Sequence, residues 1–169
     1  MSQPNEFRFR PFALEDVPVL GAWLEGAGLG VEGLLARSDW GQRVIRDPRI
    51  LCRAAIATGS VTRTGAADAV VGYFRLDLAP DRSAEVTLIV HPLHRRGGIG
   101  GALLAAALTE ARRVGLRRML AVIHDHNDGA LEFFEKAGFE PAGVVMPGFV
   151  HLARMVHRSD HQPPLEIVV

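Results

Sequence analysis

The chain opens on a period-two alternation, Phe7-Arg8-Phe9-Arg10, which predicts a half-buried strand over residues 7–12, broken by Pro11. Glu15 and Asp16 then open an amphipathic helix. Its apolar seam is Val17, Leu20 and Leu24, with Val19 and Trp23 on the flank, and Gly26, Gly28 and Gly30 end it. A second helical pattern covers residues 32–46, with Leu34, Leu35, Val44 and Ile45 apolar. It stops at Asp47-Pro48, because a residue before proline is pushed out of the helical region. Residues 50–58 predict a strand, and 59–68 a Gly/Thr/Ala-rich hairpin loop with the strand resuming near Val61. A third strand covers 70–78 and a fourth 85–90, with a turn at 79–83.

The period changes at residues 98–114, where Leu104, Leu108 and Ala111 share one helical face. Residues 118–124 predict a buried strand. Residues 127–137 predict a helix with Ala130, Phe133, Phe134 and Ala137 on its apolar side. A last strand pair, 139–145 and 149–157, flanks Met146-Pro147-Gly148, and a tail that is either loose or docked begins at Arg158. Three consecutive strands imply antiparallel pairing. The strands 85–90 and 118–124 imply a parallel pair, because the helix between them is a crossover. The pattern therefore predicts a mixed α/β fold in which helices cover a central mixed sheet. No repeat, low-complexity segment or linker divides the 169 residues, so residues 1–169 form a single expected domain with 158–169 as its tail.

Composition narrows the function. Hydrophobic residues make up 48% and charged residues 22%, the balance of an ordinary folded domain. Lys+Arg and Asp+Glu are equal at 19 each, so no global charge draws the chain to nucleic acid or to an anionic membrane. Cys52 is the single cysteine, which excludes an intramolecular disulfide and a cysteine-based metal framework. The start of the chain has no apolar leader core, and the longest apolar stretch, 102–108, is too short to span a bilayer. A cytoplasmic location is the expectation.

The segment Arg95-Arg96-Gly97-Gly98-Ile99-Gly100 stands between a predicted strand and a predicted helix. A helix start offers backbone N–H groups without intrahelical partners and a partial positive charge. Glycines let that backbone approach an anion, and arginines add charge-assisted contacts. The combination suits a pyrophosphate. It is not a Walker loop, since no Gly-Lys-Ser/Thr follows. It departs from the dinucleotide fingerprint too, because Leu103 occupies the third glycine position. A glycine-rich turn that merely permits a tight connection is the plain structural alternative.

Arg95-x-x-Gly98-x-Gly100 resembles the acyl-CoA motif of the GNAT superfamily of N-acetyltransferases, and Val90-His91-Pro92 resembles the end of that family's fourth strand. A second block agrees. Asn127-Asp128-Gly129-Ala130, followed by Phe133-Phe134 and Lys136-Ala137-Gly138-Phe139, resembles the family's Asn-x-x-Ala, aromatic and Lys-x-Gly-Phe pattern. Phe9-Arg10-Pro11 with Glu15-Asp16 resembles its opening strand and helix, so the likeness in element order covers residues 7–157. The resemblance implies a GNAT-type mixed sheet of about seven strands flanked by about four helices. It implies transfer of an acetyl or other short acyl group from acetyl-CoA or a related acyl-CoA to a primary amine, by direct attack in a ternary complex. Homodimerisation, common in the family, makes a second copy an expected partner.

The resemblance also implies roles for particular residues. Backbone amides of Arg95, Arg96, Gly97, Gly98, Ile99, Gly100 and Gly101 would bind the CoA pyrophosphate. The strand edge at Leu88, Ile89 and Val90 would pair with the pantetheine arm, and an amide near Val90 would polarise the thioester carbonyl. Asn127 would contact pantetheine or shape the cleft, while also serving as an ordinary helix N-cap. Glu85 is the candidate base for the acceptor ammonium, with Thr87 on its face; its plain alternative is a solvated strand-end carboxylate. The family usually places a tyrosine acid where this chain has Phe134, which leaves Phe134 a cofactor contact only. The thiolate would then leave unaided, or take a proton from His126, His124 or Tyr73, or the domain would bind acyl-CoA without turning it over. His124 and His126 raise metal binding, but no third ligand is evident. His91 and His94 read as structural or phosphate-adjacent, and Trp23 and Trp40 as core.

Overall fold

A computed structural model describes residues 7–25, 39–57, 69–95, 97–143 and 146–157. The expectations for Gly26, Gly28, Gly30, residues 32–38, the loop 59–68, Arg96 and the tail 158–169 lie outside these residues. The described chain runs β1 (Phe7–Pro11), α1 (Asp16–Glu25), α2 (Trp40–Arg46), β2 (Ile50–Ala57), β3 (Ala69–Leu78) and β4 (Ser83–Val90). A short 3₁₀ turn (Pro92–His94) leads to α3 (Ile99–Arg113), β5 (Arg118–His124), α4 (Asp128–Lys136), β6 (Glu140–Pro141) and β7 (Phe149–Met155). None of the described helices is long and apolar enough to cross a membrane.

The seven strands form one sheet in the order β1-β2-β3-β4-β5-β7-β6. β1 to β4 are antiparallel neighbours, and β4 pairs with β5 in parallel across the α3 crossover. The mixed sheet with a parallel pair inside the strand–helix–strand unit is thus the one the element order implied. β7 inserts between β5 and β6, antiparallel to both.

Strand alternation sorts the sheet into two faces. Val86, Leu88 and Val90 of β4 pack with Ile99, Leu103, Leu104 and Ala107 of α3 and with Phe134 of α4 in the larger core. Tyr73, Ala54, Ile56 and Ile89 pack on the opposite face with Phe12, Leu20, Trp23 and Val44 from the α1 and α2 side. Gly72 permits the close seating of α3. A Cβ there would meet Leu103 Cδ1 at 2.9 Å and the Ile89 carbonyl at 3.0 Å.

Two predicted boundaries and one predicted helix face need correction. Among the described residues of the strand expected over 139–145, only Glu140–Pro141 is strand; one further bond follows, from the Ala142 N–H to the His151 carbonyl at 2.9 Å, before Gly143 turns the chain at φ +77°. β4 begins at Ser83 rather than 85, where Arg82 takes a left-handed turn (φ +63°) and Asp81 Oδ1 accepts from the Ser83 N–H at 3.0 Å. In α1 the buried face is Asp16, Leu20 and Trp23, and Val19 is exposed.

Candidate active site

The parallel ladder between β4 and β5 is short. It pairs Ser83 with Arg118, Ala84 with Met119 and Glu85 with Leu120, and goes no further. β4 nevertheless continues to Val90, held by β3, and β5 to His124, held by β7. The two strands therefore part beyond Glu85 and leave a wedge in the sheet.

The polar groups lining that wedge follow from the ladder pattern. At one end of the β3–β4 pair the His91 N–H donates to the Val71 carbonyl at 2.9 Å, and at the other the Ala79 N–H donates to the Ser83 carbonyl at 2.9 Å. In an antiparallel ladder, bonded positions alternate. The odd-numbered residues of β4 thus turn their N–H and C=O to β3, and the even-numbered ones turn theirs to β5. Beyond the end of the parallel ladder, Leu88 and Val90 point their amides into the wedge, with no strand among the described residues to pair with. Ile89 turns its amide to Tyr73, its partner on β3.

The chain leaves β4 at the wedge's wide end and enters the glycine-rich turn. Gly98 is the N-cap of α3 and adopts φ +81°, a left-handed conformation that glycine takes without a Cβ penalty. Arg95, Gly97, Gly98 and Gly101 are exposed, and a Cβ built at Gly98 or Gly101 would meet nothing within 4 Å. The first amides of this 15-residue helix lack intrahelical partners, and they lie in an exposed turn. Ile99 contributes only its backbone there, since its side chain is 4% exposed and in the core. Gly100 faces the ring of Phe133 instead, which a Cβ would meet at 3.4 Å.

The second sequence block starts just past the end of β5, where the Asn127 N–H donates to the His124 carbonyl at 3.0 Å. Asn127 caps α4, with its Oδ1 accepting from the Ala130 N–H at 3.2 Å. Phe134 is 7% exposed and lies in the core, its ring centroid 5.2 Å from Phe133 and 5.0 Å from Phe139.

Glu85, Thr87 and Ile89 face the α1 side of the sheet, as do Leu120, Val122 and His124 of β5 and Phe149 and His151 of β7. The Glu85 side chain stays open to solvent. Its surroundings still strip enough water to raise its pKa above the ordinary carboxylate value; the Asp77 carboxylate adds to the rise, and Arg75 and His151 oppose it. His151 is the neighbour that sequence reading missed, because its position in β7 carries no motif. Its Nε2 is buried without a hydrogen-bond partner among the described residues.

The structure does not bring Glu85 and His126 together. Glu85 is level with Leu120, and His124 alone lies four residues further, about 13 Å along the strand. His126 stands on the exposed turn after β5, its Nδ1 3.2 Å from Asp125 Oδ1. The ring of His124 rests on Phe149 at 4.3 Å. Among the described residues, no group of three or more His, Cys, Asp and Glu could hold a metal. Tyr73 is withdrawn from acid chemistry. Its hydroxyl donates to Asp16 Oδ1 at 3.0 Å, and burial raises its pKa far above the ordinary phenol value.

A sequence profile of the acetyltransferase (GNAT) family matches residues 36–139, which hold the wedge strands, the glycine turn and α4. The chain belongs to this family. Among individual relatives, the mycothiol acetyltransferase of Mycobacterium avium is 56% identical over 55 residues, 31% of this chain and 16% of that protein. YwnH of Bacillus subtilis is 36% identical over 74 residues, 44% of this chain and 45% of its own length. The chain thus spans less than half the length of these curated relatives. Solved GNAT structures match more widely. The PaiA N-acetyltransferase of Thermoplasma acidophilum, in complex with coenzyme A, superposes with a TM-score of 0.66 at 18% identity over 89% of this chain and 99% of that one. Spermidine/spermine N-acetyltransferase SpeG of Vibrio cholerae gives 0.68 at 15% identity over 89% and 92%. At such identities the likeness is one of fold. It agrees with the seven-stranded mixed sheet and four helices described above.

Proposed function

We propose that this GNAT domain is an acyl-CoA-dependent N-acyltransferase. It moves an acetyl or other short acyl group from acyl-CoA to a primary amine by direct attack in a ternary complex. The observation that carries this reading is the β4–β5 wedge, with the amides of Leu88 and Val90 turned into it and the start of α3 at its mouth. An extended pantetheine arm would hydrogen-bond to β4 there as an added strand, while the amides from Arg95 to Gly101 take the pyrophosphate. A wedge amide of β4 would then stabilise charge developing on the thioester oxygen.

Glu85 is the base in this reading. A carboxylate raised towards neutrality accepts a proton from an ammonium more readily than an ordinary one, and Glu85 lies on the open α1 side of β4. The thiolate leaves without a strong acid. A thiol has an ordinary pKa of about 8.5, and the helix start favours negative charge. Phe134 offers no proton, the Tyr73 hydroxyl is taken by Asp16, and His126 is the exposed imidazole at the end of β5. Direct attack is favoured over a covalent acyl-enzyme because Cys52, the chain's single thiol, is buried and its pKa is pushed up to about 12.

Thiol release from acetyl-CoA over a panel of primary amines tests this. Release should depend on the amine and saturate in both substrates. Glu85→Gln should cut turnover by about 10²-fold and leave acetyl-CoA affinity within about twofold. Unchanged turnover would remove Glu85 as the base. Saturable binding without amine-dependent release would leave an acyl-CoA-binding domain in place of an enzyme.

A further inference from the structure

His91 occupies the junction between the wedge strand and the glycine turn. Its backbone ties that junction down on both sides. The N–H donates to the Val71 carbonyl of β3, and the carbonyl accepts from the His94 N–H, each at 2.9 Å. Its side chain adds a third tie, with Nδ1 accepting from the Leu93 N–H at 3.1 Å. Pro92 has no N–H, so the Leu93 amide is the first donor the turn must satisfy. Leu93 itself is 61% exposed and brings no packing to the turn. Four residues beyond Leu93 the chain reaches Gly97 and the cap of α3.

The ring is also held in place. Its centroid is 4.8 Å from Trp23 of α1 and 4.9 Å from His94, both edge-on. An acceptor at Nδ1 fixes the tautomer, with the ring proton on Nε2. Protonation would turn Nδ1 into a donor aimed at another donor, and Trp23 and His94 limit the ring's escape. We propose that neutral His91 is a positioning residue for the pyrophosphate turn, holding Pro92–His94 through Nδ1 and releasing it on protonation.

The surroundings set the direction of the effect. Among the described residues His94 is the titratable group in contact with His91, and Arg95 follows the turn. From α1 the neighbour is the neutral Trp23, and behind it β3 presents Tyr73, bound to the Asp16–Arg10 pair. Burial, and then the proximity of His94, hold the His91 imidazole below its ordinary value. The tie is therefore intact at neutral pH and is lost as pH falls through that lowered value. A cationic ring would also attract phosphate, which acts the other way. Because the ring packs on Trp23 in the α1 layer, the lost tie decides the sign.

This inference rests on the turn being the acyl-CoA pyrophosphate site. The test is the acetyl-CoA Kd of wild type, His91→Asn and His91→Ala by calorimetry from about pH 8 to about pH 5.5. Asparagine can accept the Leu93 N–H with its side-chain oxygen but does not titrate. At about pH 8 wild type and H91N should bind alike, and H91A about fivefold more weakly, the ratio expected for a lost cap. On acidification, wild type should lose affinity relative to H91N, by up to about fivefold once His91 is protonated. Parallel pH profiles for wild type and H91N, or a relative gain for wild type in acid, would overturn the role of His91 while leaving the CoA site standing. Absence of saturable acetyl-CoA binding by wild type at about pH 8 would overturn both.

Discussion

A carboxylate as deeply buried as Asp16, 2% exposed, persists because several donors close on it. Arg10 approaches both oxygens at 2.7 and 2.8 Å, the Ala13 N–H donates at 2.8 Å and the Tyr73 hydroxyl at 3.0 Å. Burial alone would raise its pKa and is the largest single influence, but the donors together outweigh it and hold the group below the ordinary carboxylate value. The stabilisation is therefore complete above about pH 4 and is lost as pH falls through the lowered value. Tyr73→Phe should cost about 1 kcal/mol in urea unfolding, the worth of one hydrogen bond, with amine-dependent turnover unchanged. A large loss of turnover at normal stability would instead return Tyr73 to the list of acids. None of this was legible in the sequence, where Asp16 reads as an acidic residue opening a helix. That reading accounts for the charge near a helix start but cannot see Arg10 folding back or Tyr73 arriving from β3. Glu85 was a candidate because the family resemblance puts a glutamate near the start of the fourth strand; His151, on the same face, has no such signal to announce it.

The strand–turn–helix element from β4 to α3 places the glycine-rich turn proposed to hold the pyrophosphate, and it depends on one backbone conformation. Gly98 at φ +81° lets the chain reverse into α3 with its first amides outward. An L side chain there costs about 1–2 kcal/mol of backbone strain. Gly98→Ala should therefore lose about 1–2 kcal/mol in thermal unfolding, set by φ and not by crowding since a Cβ meets no neighbour, and should weaken acetyl-CoA binding by up to about tenfold in calorimetry as the turn relaxes. Equal affinity would argue that the turn does not hold the phosphates. At this scale periodicity served well wherever an element buries one face: α3, β5 and α4 begin and end within a residue of expectation. It failed where local chemistry rules. Gly143 turned the chain out of the short sixth strand, and the 3₁₀ turn Pro92–His94 left no periodic trace. The parting of β4 from β5 is invisible in either strand's pattern, since alternation reports which face is buried and not which neighbour is paired.

In the whole molecule, one sheet supports two separate tasks. Its α3 and α4 face carries the larger core, and its other face, the one that α1 and α2 cover in part, presents Glu85, Thr87 and His151. The wedge joins the two, so a donor entering from the α3 turn and an amine arriving on the α1 side would meet at the edge of β4. Two cavities lie away from the wedge. One of ≈ 270 Å³ lies at the far end of the sheet, lined by Arg82, Arg112 and Arg117, and another of ≈ 600 Å³ lies beside α2. The element order gave the mixed sheet and its parallel pair, but the insertion of β7 between β5 and β6 is a long-range choice that no local signal encodes. The most direct measurement is an amide hydrogen-exchange map with and without saturating acetyl-CoA. Protection should rise at Leu88 and Val90 and from Gly97 to Gly101, with Gly115 to Arg117 unchanged. Bound acetyl-CoA that leaves the β4 edge and the glycine turn unprotected, or that protects the far end of the sheet, would contradict the account.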